Sequence, residues 1–245
     1  MELTDDIELV DGVPIAYIRS LAALVFSDLH LGYEGKMAKK GVFVPKVNLK
    51  HINDAIAHSL KGRDVKQLII VGDIKNDFST VDTEEFNELY ELISFAKERS
   101  LSLVLIKGNH DNFVDRYKEP FNLEIHSQSA RMGNYFFFHG EEMPNVGDNE
   151  VSTLIMGHEH PAIVITNAAG RREKLRCFLY GKYKKRNLLV LPATNFFSTG
   201  NEVNVHSPSM LSPVFHGAKV KGMSAIALGY GSTEDFGKVS DLIGM

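Results

Sequence analysis

The chain has one cysteine, no tryptophan and no apolar run long enough to cross a bilayer. A lone Cys177 excludes an internal disulfide framework and any cysteine-rich metal site, which leaves His, Asp, Glu and Asn as ligands for a transition metal. Ten histidines supply that set. A formal charge of −4 argues against a surface built wholly for nucleic acid, while a local basic patch stays compatible with it. No Pro- or Ser-rich linker divides the 245 residues, and 44% are hydrophobic, so a single domain over residues 1–245 is expected. Met1 to Asp6 is acidic and lacks the basic and apolar regions of a signal peptide, so a soluble, cytoplasmic protein without membrane contact is expected.

What the chain does have is five short apolar runs, at 21–26, 67–71, 101–106, 135–138 and 153–156. They are too short for helices, rich in Val, Ile, Leu and Phe, and apolar at nearly every position, so they read as strands covered on both faces. Each stops at a cluster of Gly, Asp, Asn or His: Asp28-Leu29-His30, Gly72-Asp73, Gly108-Asn109-His110-Asp111, His139-Gly140 and Gly157-His158-Glu159-His160. Ligands gather where such strands end, so the pattern describes an enzyme site.

A hairpin at 7–10 and 14–18, turning at Asp11-Gly12, is expected at a sheet edge. Apolar spacing predicts a helix over 47–60, and a second over 83–99 with Asp82 and Glu85 as a capping box and Phe86, Leu89, Ile93 and Ala96 as its apolar stripe. A short helix is expected at 112–118, then closely spaced strands through Asn204, a strand at 224–230 and a helix near 235–243.

The chemistry lies in the clusters. Asp28 and His30, two residues apart as the chain leaves a strand, suit a borderline divalent metal. Asp73 follows a Gly that permits close approach, and its two oxygens allow it to bridge two cations. Asn109 offers a neutral carbonyl oxygen that leaves the cation's charge uncancelled, and His110 is then free to face a substrate. His139 ends an aromatic strand, and His158 and His160 flank Glu159 on a Gly-led turn. Taken singly each element is weak, since a lone His is more often a hydrogen-bonded structural residue than a ligand. Five such clusters in order, each at a strand end, carry the metal reading.

This ordered set resembles the calcineurin-like metallophosphoesterase superfamily, whose signature runs Asp-x-His, Gly-Asp, Gly-Asn-His with Asp or Glu, an isolated His, and Gly-His-x-His. The resemblance covers residues 21–204. It implies an α/β (α+β), four-layer fold: two mixed β-sheets packed face to face and flanked by helices. It also implies two divalent metals, manganese first, with iron, zinc or nickel as alternatives. By that resemblance Asp28, His30, Asp73 and His160 bind one metal, Asp73, Asn109, His139 and His158 bind the other, and His110 is the catalytic acid. Many members place an acidic residue three positions after the bridging Asp. Here Asn76 stands there with Asp77 following, so Asp111 and Asp77 are candidates to orient His110.

Ser/Thr protein phosphatases of the superfamily carry an Arg-Gly soon after the bridging Asp, which this chain lacks. It looks instead like a subgroup of small prokaryotic phosphoesterases that includes DNA-repair-associated members. There a Lys stands two residues after Gly-Asp, and Leu-Pro-Ala-x-Asn follows the last strand. Lys75 and Leu191-Pro192-Ala193-Thr194-Asn195 match, which makes Lys75 and Asn195 candidate substrate contacts.

The implied activity is metal-dependent hydrolysis of phosphate esters by a hydroxide bridging two metals, with a phosphodiesterase or nuclease ahead of a phosphomonoesterase on nucleotides or small phosphates. A non-catalytic binding module would show missing ligands, and none is missing. From Arg171 to Arg186 eight basic residues are interrupted by Phe178, Tyr180 and Tyr183, a composition that suits nucleic acid. The competing reading is a solvated hairpin with Leu175, Cys177 and Leu179 facing inward.

Overall fold

The apolar runs fail to alternate because two sheets pack face to face and both outer faces are also covered. The computed structural model describes residues 1–76, 83–147, 150–166, 169–216, 219–229 and 231–244. The first sheet holds β1 (Ile7–Leu9), β2 (Ala16–Ile18), β3 (Ala23–Phe26), β4 (Gln67–Val71), β5 (Ser102–Ile106) and β6 (Glu124–His126), in that order. Its first two pairings are antiparallel and the rest parallel. The second sheet contains β7 (Ser129–Met132), β8 (Tyr135–Phe138), β9 (Thr153–Met156), β10 (Pro161–Thr166), β11 (Arg172–Tyr183), β12 (Arg186–Val190), β13 (Asn201–Glu202), β14 (Ser224–Gly229) and β15 (Ser232–Lys238). It runs β13-β10-β11-β12-β9-β8-β7, with β14 pairing with β11 and β15.

Within one strand, successive side chains enter different cores. Ala23, Val25, Ile69, Val71, Val104 and Ile106 face the second sheet, where Phe137, Ile155, Phe178 and Leu189 meet them. Leu24, Phe26, Leu68, Ile70, Leu103 and Leu105 face outward onto the helices α2 (Asn48–Leu60) and α3 (Thr83–Lys97). The outer face of the second sheet, with Phe138, Met156, Leu179 and Val190, is covered by Val214, Phe215, Val220, Met223, Val239 and Leu242. These belong largely to 3₁₀ turns, so the covering layer here is thinner than an α-helical one.

Several expectations shift. Of the helix expected near 235–243 only Val239–Leu242 turns, as 3₁₀; residues through Lys238 belong to β15, which pairs with β14, and Thr233 accepts from Gly12 N and donates to Val10 O, which ties the hairpin to the first turn. On α3 it is Leu92, not Phe86, that joins Leu89, Ile93 and Ala96 in the core; Phe86 is exposed and packs near Tyr117 and Phe121. Asp82 lies outside the described residues. The segment at 112–118 is a 3₁₀ turn, Val114–Tyr117, leading into α4 (Lys118–Phe121). The seven-residue α1 (Tyr33–Lys39) carries no capping signal in sequence.

Helix ends near the site are capped by tertiary partners. Glu34 of α1 accepts from Val47 N and Asn48 N, at 3.1 and 2.8 Å, at the start of α2. Glu88 of α3 accepts from Gly32 N, at 2.8 Å, at the start of α1. Burial, reinforced by Glu34 and Glu84 against the opposing effect of that N–H, pushes the Glu88 carboxyl up to about 7. A carboxyl raised on folding favours the folded state most below its unfolded pKa, and that contribution is lost as pH climbs from about 4.3 through 7. Glu88→Gln is therefore expected to raise the melting temperature relative to the parent at pH 8 and to change it little at pH 5. Thermal melts at the two pH values check this, and an equal shift at both would contradict it.

Candidate metal centre

Six loops leave the same end of the sandwich, after β3, β4, β5, β8, β9 and β12. The first two stay joined: Asp28 N donates to Gly72 O, His30 N to Asp73 O and Leu31 N to Ile74 O. To turn each side chain inward, the backbone of Asp28, His30, Asp73, His158 and His160 adopts φ of 56°, 45°, 49°, 66° and 46°. Asp and His tolerate this left-handed region better than most residues, yet it still costs of order 1–3 kcal/mol per residue. A Cβ at Gly72 would collide with the His139 ring, and one at Gly108 with Asp73 Oδ1. Both glycines are there for close approach.

The loops bring seven of the expected side chains together. Among the described residues, three groups of donors lie close enough to share an ion: Asp28, His30 and His160; His30, Asp73 and His110; and Asp73, His139 and His158. His160 Nε2 is 3.0 Å from Asp28 Oδ1, and His139 Nε2 is 3.3 Å from Asp73 Oδ1. Asp73 Oδ2 lies 3.9 Å from His30 Nε2 and 3.8 Å from His110 Nε2, so this one carboxylate faces three imidazoles. Asn109 is exposed on the loop between Gly108 and His110.

The donor set fits divalent cations. Ring nitrogens face each other at 3.4 Å between His30 and His160 and at 3.3 Å between His139 and His158. The carboxylates are poised to match: burial alone would raise Asp28, yet His160, His139 and His30 hold it well below the usual carboxylate range. Burial lowers His30 and His158 to about 4, which keeps their nitrogens free as donors. Burial opposes a proton on His139, but Asp73 and Asp28 outweigh burial and raise that imidazole to about 10, supplying the negative charge that a bound cation would also meet. Asp28 likewise raises His160.

Outer partners set ring orientation. Val71 O lies 3.1 Å from His139 Nδ1, Ser198 Oγ 3.3 Å from His160 Nδ1, and the Asn76 carbonyl 3.0 Å from His110 Nδ1. A main-chain carbonyl thus stands where an acidic side chain was sought. Asp111 is otherwise engaged: its oxygens accept from Lys75 N at 3.1 Å and Gly108 N at 2.8 Å, holding two ligand loops together. Asp77 lies outside the described residues. Glu159 turns away from its two neighbours and accepts from Leu211 N, Ser212 N and Asn201 Nδ2. Backbone carbonyls and Ser198 went unseen in the sequence, because a carbonyl has no residue-type signature.

Lys75, Asn195 and the basic segment each have protein partners of their own. Lys75 is only 2% exposed, with Nζ 3.4 Å from Glu85 Oε2 and 3.3 Å from Asn112 O, so it braces the loop beneath the site. Asn195 donates to Leu29 O at 3.1 Å and accepts from Phe197 N at 2.8 Å, which commits its amide to holding the Asp28 loop. The basic segment is no single patch. Arg172 and Tyr183 end one 12-residue strand, and Lys184 and Lys185 turn at the end where β9 and β12 begin, opposite the ligand loops. That strand spans about 36 Å. Within it Arg176 donates to Ala193 O and Asn195 O, both at 3.0 Å, and Lys174 lies 3.4 Å from Glu202. Cys177 and Leu179 enter the outer core while Phe178 enters the inner one.

The sequence profile of the calcineurin-like phosphoesterase family matches residues 21–160, more than half of the chain. The chain belongs to that family, whose members are metal-dependent phosphoesterases, and it is a hydrolase. Its fold is similar to the nuclease MPE of Pseudomonas putida, with a TM-score of 0.63, 20% identity and 93% of each chain covered. The phosphoesterase YfcE of E. coli aligns at a TM-score of 0.43 and 17% identity, over 86% of this chain and 95% of that one. No curated protein sequence matches the chain. Among the described residues no helix is long and apolar enough to cross a membrane.

Removing the charge at Lys75 strands Glu85 without its buried counterpart. Lys75→Met is expected to lose about 3–5 kcal/mol in denaturant unfolding, as for other broken buried pairs. A substrate-contacting lysine would instead raise KM and leave unfolding unchanged.

Proposed function

We propose that the chain is a manganese-dependent phosphodiesterase acting on nucleic acid or nucleotides, with Asp28, His30, Asp73 and His160 holding one metal and Asp73, Asn109, His139 and His158 the other. The observation that carries this reading is the convergence of five imidazoles on two buried carboxylates. Cations held there would acidify water and neutralise phosphoryl charge. His110 is the catalytic acid: Asn76 O takes its Nδ1–H, which leaves Nε2 on the Asp73 side to carry and release the proton for the departing oxygen. Asp73 also accepts from His110 N at 3.0 Å, so the same carboxylate places the acid against the metal site.

A diester is favoured over a monoester by the cleft beside the ligands. Tyr33, Asn76, Asn195, Phe197 and Ser198 line it with His30 and His160, and among the described residues no lysine or arginine joins them. Lys36 reaches the rim, 3.5 Å from Asn76 O. A dianionic monoester is best matched by a guanidinium fork, whereas a diester monoanion with an organic substituent fits this lining. The fold shared with a nuclease supports the same direction. A cytoplasmic location and a single domain over residues 1–245 are part of this reading, in keeping with a chain whose one thiol, Cys177, is free and buried.

With manganese, hydrolysis of bis(p-nitrophenyl) phosphate is expected to exceed that of p-nitrophenyl phosphate in kcat/KM, and the reverse order would overturn the diester reading. His110→Ala should lower turnover by about 10²- to 10⁴-fold on substrates with poor leaving groups, less on nitrophenyl esters, with two manganese ions still bound by calorimetry. Equal losses on both kinds of ester would remove the acid role. Replacing Lys184 and Lys185 by Ser should leave polymer cleavage and its salt dependence unchanged, because they sit at the far end; a slope flattened by about 0.7–0.9 per lysine would place nucleic acid there after all.

A further inference from the structure

The loop after β12 carries two consecutive phenylalanines beside the metal ligands, Phe196 exposed and Phe197 half-buried, and neither is left to move freely. Phe197 stacks on Tyr33, centroids 4.9 Å apart and planes at 18°, and Phe196 stacks on His51 at 4.2 Å and 10°. The two phenylalanines meet edge to face at 5.1 Å. Backbone bonds lock the loop: Phe196 N donates to Asn48 Oδ1 at 2.9 Å, and Asn48 and Asn195 both donate to Leu29 O, one residue before His30. Phe196 remains 43% exposed, outside the three hydrophobic cores.

Between this platform and the metal ligands lies a cleft of about 200 Å³ lined by His30, Tyr33, Asn76, His160, Asn195, Phe197 and Ser198. Since His30 and His160 form one wall, a phosphate held at the metal centre would direct its organic substituent toward Tyr33 and Phe197. The geometry points to a stacking subsite for one nucleobase next to the scissile phosphate, an assignment that rests on the phosphodiesterase reading above. Rings already backed by a second ring add a base to an existing stack without losing further side-chain freedom, whereas an aliphatic substituent would gain nothing from their planarity. At the rim Lys36 of α1 lies 3.5 Å from the Asn76 carbonyl, which puts a cation beside the lining. A cleft of this size admits one ring system, and a base offers its face only when unpaired. The subsite therefore selects single-stranded or frayed positions.

The test uses the full chain with manganese and a single-stranded oligonucleotide whose cleavable linkage is flanked by either a base or an abasic residue. The intact linkage is expected to be cut about 5- to 100-fold faster, the range stacking on one aromatic side chain supplies. In Phe197→Leu that ratio should fall toward one, and in Phe197→Trp it should persist. Melting curves confirm that both variants fold. A second readout does not depend on cleavage: without added metal, a trinucleotide carrying 2-aminopurine should be quenched on binding the parent and Phe197→Trp, and not on binding Phe197→Leu. A cleavage ratio near one in the parent, or quenching that survives Phe197→Leu, overturns the subsite while leaving diester hydrolysis standing. Quenching that follows the expected pattern with no cleavage of either linkage keeps the stacking site and defeats the phosphodiesterase reading instead.

Discussion

Two carboxylates, Asp28 and Asp73, sit in the water-poor seam between the sheets and are tolerable there because imidazoles surround them. Asp28 is fully buried, yet His160 lies at 3.0 Å and the His158 amide donates to both of its oxygens at 3.2 Å. Asp73 is shared by His139, His30 and His110. An isolated buried charge would carry a penalty of several kcal/mol, so removing the ring of donors would make the acids untenable, and removing the acids would leave the imidazoles crowded together. Charge balance in this seam is the constraint that the surrounding loops exist to satisfy.

Satisfying it needs an unusual backbone. Five of the ligand residues occupy the left-handed region, a conformation that persists only where the surroundings enforce it. The support comes from both sheets at once. The parallel pairing of β3 and β4 continues into their loops, Thr194 and Asn195 from the second sheet donate to Ser27 O and Asp28 O, and Asp111 pins the loop after β5 to the one after β4. The inner core of Val25, Ile69, Phe137, Ile155 and Leu189 fixes the distance between the two groups of loops. Packing energy spent far from the site thereby appears as ligand geometry in it.

The same division of labour gives polar residues near the ligands partners within the protein. Lys75, Asn195, Arg176 and Asp111 are polar and lie close to the ligands in sequence or space, and each has its hydrogen-bonding capacity taken up by a loop backbone or a buried carboxylate. Meanwhile Tyr33, Phe196 and Phe197, which look like ordinary core residues in sequence, stand outside the cores at the edge of the cleft.

By itself the sequence determined the strand cores and the ligand loops, because burial on both faces imposes unbroken apolar runs, and close approach to a shared cation imposes Gly beside Asp, Asn and His. It also carried the order of those loops, and hence the family. Only the tertiary structure decided which polar side chains face the site. A helix cap supplied by Glu34, a carbonyl of Asn76 in the role sought for an acid, and a basic strand stretched over about 36 Å with its lysine turn at the wrong end are all set by partners distant along the chain. Local composition cannot encode them: a lysine or asparagine reads the same whether its head group meets solvent or a buried partner, and that difference arises only once the two sheets have packed.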